Sequence, residues 1–96
     1  MAAYIIGELL EVTDPAGFEE YRRRVPETIA RYGGKFVARQ GAIERLDGQW
    51  QPKGLTIIEF PSFAQAKRWY DSDEYRELKA LRLRTARTNL VLADGL

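Results

Sequence analysis

Histidine and cysteine are both absent from this 96-residue chain. Without cysteine, the chain has no disulfide, no thiol nucleophile and no thiolate metal ligand. Without histidine, it has neither Ser-His-Asp nor Cys-His catalysis, and no histidine-ligated haem or zinc. We therefore expect no cofactor and no metal site. Any chemistry must use carboxylates, arginines, tyrosines or hydroxyls.

Long apolar runs and a strong net charge are also lacking. The net charge is +1, which gives no global attraction to nucleic acid or to anionic membranes. No apolar run approaches the ~18–20 residues that span a bilayer. The N-terminal apolar stretch carries Glu8 and Glu11, which argues against a signal peptide. The sequence therefore predicts a cytoplasmic protein that binds neither nucleic acid nor membranes.

Apolar residues alternate along four segments and recur every three or four positions along two others. Alternation predicts β-strands, and the longer period predicts α-helices. The predicted strands cover residues 3–12, 35–40, 53–60 and 89–93, and the predicted helices cover residues 15–32 and 63–85. Their order is that of a ferredoxin-like βαββαβ sandwich, an α+β fold with a four-stranded antiparallel sheet and both helices on one face. We expect residues 1–96 to form this single domain.

Three local signals refine this prediction. Pro26 lies inside the first predicted helix and should kink or split it, because proline removes a backbone donor. A capping-box pattern begins at Asp71 and predicts that the second helix breaks near Ser72 and restarts. Residues 41–52 are typical of a hairpin excursion that turns at Asp47-Gly48.

Both faces of the predicted sheet are apolar, although the helices can cover only one. The first strand carries Tyr4, Ile6 and Leu10 on one side and Ile5 and Leu9 on the other. An uncovered apolar face of this size is a liability in a monomer. A second copy packed sheet to sheet across a two-fold axis removes it. We therefore predict a homodimer; the alternative is a mildly apolar face that stays in solvent.

One carboxylate, Glu59, interrupts an otherwise apolar strand. In this topology we expect the first and third strands to be parallel neighbours, which places Glu59 near Glu8 on the same face. A shielded carboxylate needs a cation or a raised pKa, and Arg39 on the adjacent strand is the expected partner. Two interpretations stay open. The pair fixes strand register or dimer orientation, or it lies in an apolar cavity, edged by Trp69 or Tyr70, that binds or deprotonates a ligand.

Short patterns along nearly the whole chain carry a family resemblance. They are Thr13-Asp14-Pro15, Tyr21, Val25-Pro26, Tyr32-Gly33-Gly34, Arg39 with Gly41, Asp47-Gly48-x-Trp50-x-Pro52, Ile58-Glu59-Phe60-Pro61-Ser62, Ala66, Trp69-Tyr70-x-Ser72-x-Glu74-Tyr75 and Leu81-Arg82. With them the chain resembles the small bacterial proteins of domain-of-unknown-function family 1330, in the dimeric α+β barrel superfamily. The resemblance implies a ferredoxin-like protomer that pairs into a dimeric α+β barrel. It implies no reaction. Superfamily relatives include cofactor-free monooxygenases and muconolactone isomerase-like proteins, and several relatives use a histidine that this chain lacks.

Six residues are candidates for a ligand site: Arg39, Glu59, Trp69, Tyr70, Ser72 and Arg82. No catalytic residue can be assigned, and Glu59 is the one candidate. Arg82 neighbours an apolar helical stripe, and if turned inward it could clamp a carboxylate or phosphate. A helix restart at Ser72 leaves backbone N–H groups that favour anions. The two aromatics are more typical of a core than of a ligand cage.

The sequence is compatible with three functions. The first is binding of a small organic molecule, acidic or aromatic, between sheet and helices. The second is a cofactor-independent enzyme of the monooxygenase or isomerase kind, with Glu59 as base and Arg39 or Arg82 as electrostatic stabiliser. The third is a structural or partner-binding dimer without a ligand. RNA binding is not expected, because Leu55 and Ile57 stand where an RNA-binding strand carries its stacking aromatics.

Overall fold

The computed structural model describes residues 1–96 and contains four strands and three helices. In chain order these are β1 (Ala3–Val12), α1 (Pro15–Arg31), β2 (Lys35–Arg39), β3 (Leu55–Phe60), α2 (Phe63–Tyr70), α3 (Asp73–Thr85) and β4 (Ala86–Asp94). The strands form one antiparallel sheet in the order β2-β3-β1-β4. The predicted ferredoxin-like α+β fold is confirmed.

The expectation that β1 and β3 run parallel is wrong. The two strands are antiparallel neighbours, with Tyr4 opposite Glu59 and Glu8 opposite Leu55. Opposed residues share a face of the sheet, so both acids lie on one face, but four residues of strand separate them, roughly 14 Å. In this topology every neighbouring pair of strands is antiparallel, and Glu8 and Glu59 therefore do not form one site.

The three helices cover one face of the sheet and leave the other bare. Ile5, Ile58 and Phe60 point toward the helices and are buried in the core. A row of apolar residues crosses the bare face through Ile6 and Ile57. The core is therefore a single layer between sheet and helices.

Helix α1 runs unbroken through Pro26, so the predicted split of this helix does not occur. The helix begins as expected: the Asp14 carboxylate accepts the N–H of Gly17 at 3.2 Å, and Pro15 occupies the first position. Its last residue is Arg31, and Gly33 follows with a φ of 79°, in the left-handed region that terminates helices.

The predicted break between α2 and α3 is confirmed, but the cap is Ser72 and not Asp71. The Ser72 hydroxyl accepts the N–H of Tyr75 at 3.2 Å and donates to the Trp69 carbonyl at 2.8 Å. One side chain thus closes the end of α2 and starts α3.

Strands β2 and β3 pair with each other, but residues 41–52 between them contain no strands. The prediction of a separate hairpin within this segment is therefore wrong. Gly48 does adopt a turn conformation, with a φ of 81°. The segment is held at its ends by backbone bonds, in which Gln40 donates to Leu55 (2.8 Å) and Leu9 donates to Gly54 (3.0 Å). Strand β4 also starts earlier than predicted, directly after α3.

Candidate functional site

A cavity of about 70 Å³ lies between the sheet and α1. Its floor is the row formed by Gly7, Thr56 and Leu90, which are paired across β1, β3 and β4. Small residues in this row leave the space open. A Cβ on Gly7 would come within 3.0 Å of the Leu90 side chain.

The walls of the cavity are mostly apolar. They include Phe18, Val25 and Ile29 from α1 and Trp69 from α2. A few polar groups converge on the same space, among them Tyr21, Arg22, Arg39, Arg82 and Thr88. An apolar concavity with a few convergent polar groups is the usual form of a small-molecule site.

Arg82 extends inward from α3 and is only 5% exposed. Its Nε donates to the Tyr75 hydroxyl at 3.2 Å, and its Nη1 donates to the Thr88 hydroxyl. Burial lowers the pKa of the Arg82 guanidinium, but the neighbouring Tyr75 and the other tyrosines more than offset this effect and hold the pKa above its usual value. Arg82 is therefore a permanent cation in the wall of the cavity.

The Tyr75 hydroxyl also pairs with the hydroxyl of Tyr21, at 2.8 Å. Tyr21 is a half-buried residue. Burial first, and the adjacent Tyr75 second, raise the pKa of Tyr21 well above its usual value. The phenol is thus neutral at physiological pH and is a poor general base.

Arg39 bonds a backbone carbonyl that Pro26 leaves without a helical partner. Because proline has no N–H, the carbonyl four residues before it, that of Arg22, lacks its helical partner. The Arg39 Nη2 donates to this carbonyl at 2.7 Å, and the guanidinium lies 4.2 Å from the centre of the Phe36 ring. Burial, and next the charge of Arg22, lower the pKa of Arg39. Arg39 therefore ties β2 to α1 at the edge of the cavity.

We expect Arg39→Met to lower the free energy of unfolding by about 0.5–1.5 kcal/mol, the typical net value of one hydrogen bond. In a Pro26→Ala background the same change should cost almost nothing, because the backbone N–H that the alanine introduces then satisfies the Arg22 carbonyl. Urea denaturation of the four proteins in this double-mutant cycle measures the coupling. Equal costs in both backgrounds would show that Arg39 does not replace the missing helix bond.

Glu59 lies away from this cavity, on the bare face of the sheet. Its partner is Lys35, with Nζ 3.6 Å from Oε1, and the Tyr4 hydroxyl donates to it at 3.4 Å. The expected pairing with Arg39 is wrong, since Arg39 points to the opposite face. The Glu59 side chain is 29% exposed, so the strand shields it only in part.

The structure brings three of the six candidate residues together, namely Arg39, Trp69 and Arg82, around one cavity. Tyr70 lies outside it, with the Lys79 ammonium 4.1 Å from its ring centre. Ser72 is occupied as a helix cap. Tyr21, which lines the cavity, and Tyr75, which bonds both Tyr21 and Arg82, were not among the predicted candidates. Their spacing is that of ordinary core positions, and nothing in the sequence marks their hydroxyls as neighbours.

No group of three or more acidic side chains is arranged to hold a metal ion. None of the helices combines the length and the apolar character that crossing a membrane requires.

The sheet order and the helix-covered face place this chain among ferredoxin-like α+β proteins. It belongs to a family described as "Domain of unknown function (DUF1330)", whose sequence model matches residues 2–96. No functionally curated protein matches the sequence.

Solved structures with the same fold have low sequence identity to this chain. A protein of unknown function from Rhodopseudomonas palustris is 19% identical with a TM-score of 0.77, over 99% of this chain and 82% of that one. SnoaB, a cofactor-independent oxygenase from Streptomyces nogalater, is 14% identical with a TM-score of 0.67, over 99% and 93%. A dimeric protein of unknown function from Bacteroides fragilis is 13% identical with a TM-score of 0.55, over 98% and 96%. At such identities the likeness establishes the fold alone.

Proposed function

We propose that this protein binds a small organic molecule, acidic or aromatic, in the cavity between the sheet and α1. The observation that carries the proposal is the cavity itself, in which an apolar wall meets the buried guanidinium of Arg82 and the hydroxyl of Tyr21. Apolar walls supply binding energy, and the few polar groups orient the ligand.

We also propose that the protein is a homodimer, joined through the bare face of the sheet. The apolar row on that face supports this assembly, and one fold relative, the Bacteroides fragilis protein, is dimeric. The protomer is flat, with extents of 36 × 34 × 16 Å. Its broad side exceeds the ~800 Å² that each partner contributes to a standard interface.

A second candidate function is a cofactor-independent reaction of the oxygenase or isomerase kind, supported by the shared fold with SnoaB. Arg82 would then stabilise a developing oxyanion. The cavity offers no evident base for such a reaction. Glu59 lies on the bare face, and Glu8, the one acidic residue among the lining positions, shares that face and accepts hydrogen bonds from Trp50 (2.9 Å) and Asn89 (3.2 Å). The geometry therefore favours binding over catalysis.

Tryptophan fluorescence can test the binding proposal. It has two tryptophans: Trp69 lines the cavity and is 1% exposed, whereas Trp50 is 60% exposed. In a Trp50→Phe background, fluorescence therefore reports on the cavity alone. We expect saturable changes when this protein is titrated with small probes such as benzoate, benzamide and butyrate.

A cavity-filling variant tests where the probes bind. Leu90→Phe places extra volume in the floor of the cavity and should abolish the fluorescence response. Leu83→Phe adds the same group at a site that is 63% exposed on α3 and should leave the response intact. Native mass spectrometry of freshly purified protein gives a further readout of a retained molecule. Unchanged binding by Leu90→Phe, or no response to any probe, would contradict the proposed site.

A further inference from the structure

Arg82 is a buried cation without a counter-charge. None of the protein's ion pairs includes it. Its two protein partners, the hydroxyls of Tyr75 and Thr88, are neutral. Taking a charged group out of water without an opposite charge is costly. An anion bound next to Arg82 would therefore stabilise the folded protein.

One edge of the guanidinium has no protein partner. Arginine carries five N–H donors, and in Arg82 the Nε and Nη1 atoms each bond one hydroxyl, whereas Nη2 bonds none. Every fully enclosed side-chain nitrogen or oxygen in the protein has a hydrogen-bond partner. The unpaired Nη2 must therefore be reachable from outside. Because Arg82 lines the cavity, we take the free edge of its guanidinium to face the cavity.

The surroundings of Arg82 add positive charge and little negative charge. Arg22, which pairs with Glu19 at 4.0 Å, and Arg39 also line the cavity, and the one acidic residue among the lining positions, Glu8, shares the bare face of the sheet with Glu59. Both oxygens of Glu8 already accept hydrogen bonds, from Trp50 and Asn89. The Tyr21 hydroxyl cannot supply the missing charge, since burial raises its pKa further. The cavity therefore presents a net positive potential to whatever enters it.

We propose that the ligand of this cavity is a small monocarboxylate with an apolar body, whose carboxylate accepts a hydrogen bond from Nη2 of Arg82. This inference rests on the proposed ligand-binding function and names its substrate class. The single free edge suits one anionic group, and the apolar walls suit a hydrocarbon or aromatic body. A phosphate would leave most of its oxygens unpaired in this small apolar space. Arg82 is then the residue that selects acids over neutral molecules of the same shape.

Matched acid and amide probes test the inference in the unmutated cavity. Benzoate with benzamide, and butyrate with butyramide, differ mainly in charge. With Trp69 fluorescence in the Trp50→Phe background, and calorimetry on the natural sequence, we expect each acid to bind about 10- to 100-fold more tightly than its amide. That range follows from the value of a hydrogen bond to a charged group. Equal affinities for acid and amide would overturn the inference while leaving the ligand-binding function intact. Absence of binding by all four probes would instead contradict the ligand-binding function itself.

Variants at position 82 identify the group responsible. Arg82→Met should remove the preference for the acids and leave amide binding nearly unchanged. Arg84→Met, two residues along α3 and exposed, is the matched control and should keep the full preference. If Arg82→Met fails to fold, Arg82→Lys decides, because one ammonium cannot bond Tyr75, Thr88 and the ligand in the geometry of a guanidinium. We expect it to lower acid affinity about tenfold. An undiminished preference in the folded position-82 variant, or tighter binding of inorganic phosphate than of benzoate, would overturn the assignment.

Discussion

Trp69→Ala is expected to lower the free energy of unfolding by about 3–5 kcal/mol, the range for loss of a buried large aromatic. Trp69 is 1% exposed, and its ring centre lies 4.1 Å from that of Tyr75 and 5.6 Å from that of Phe60. Its Nε1 donates to the Thr28 hydroxyl at 3.0 Å. For a chain of this size the loss corresponds to a melting temperature lower by about 15–30 °C.

Trp50→Ala is the matched control for this change. Trp50 is 60% exposed and makes one hydrogen bond, to Glu8, so its removal should cost less than about 1.5 kcal/mol. Urea denaturation of both variants at one protein concentration gives the comparison, since the stability of the proposed dimer would depend on concentration. Similar losses for the two variants would show that Trp69 is not the centre of the core.

Most of the fold could be predicted from the sequence because its signals are local and periodic. The alternation in β1, the capping of α1 by Asp14 and the helix restart at Ser72 each depend on residues within one turn or one strand. The prediction of a hairpin within residues 41–52 was wrong. The turn signal at Gly48 correctly indicates the conformation of that residue, but it does not determine whether the residues on either side pair as strands.

The site was less predictable, because it depends on which face each strand residue occupies. Arg39 and Glu59 are near neighbours in topology, but they point to opposite faces, and a register shift between Phe36 and Ala38 interrupts the simple alternation along β2. The inward turn of Arg82 was foreseeable from its place beside the stripe of α3. The sequence also contains a signal for the bond between Arg39 and the Arg22 carbonyl. Pro26 has no N–H to donate to the carbonyl four residues earlier, so that carbonyl needs another partner.

Ile57→Asp is expected to convert the proposed homodimer to a monomer. Ile57 lies in the middle of the bare face, opposite Ile6 on β1 and Ala38 on β2. In a dimer built on this face, two-fold symmetry would bury two aspartates close to the axis, without partners. Each unpaired charge costs several kcal/mol, so the dissociation constant should rise at least about 100-fold. In the monomer the same residue is half-exposed, and the aspartate should cost only about 1 kcal/mol in strand preference.

Sedimentation velocity at micromolar concentration distinguishes these outcomes. The natural sequence should sediment as a dimer, Ile57→Asp as a folded monomer, and Leu83→Asp, altered at an exposed position on α3, as a dimer. Circular dichroism confirms that each variant is folded. A natural protein that sediments as a monomer, or an Ile57→Asp variant that stays dimeric, would place the interface elsewhere or remove it. Loss of the dimer in Ile57→Asp alone would assign the bare face, and with it the apolar row through Ile6 and Ile57, to self-association.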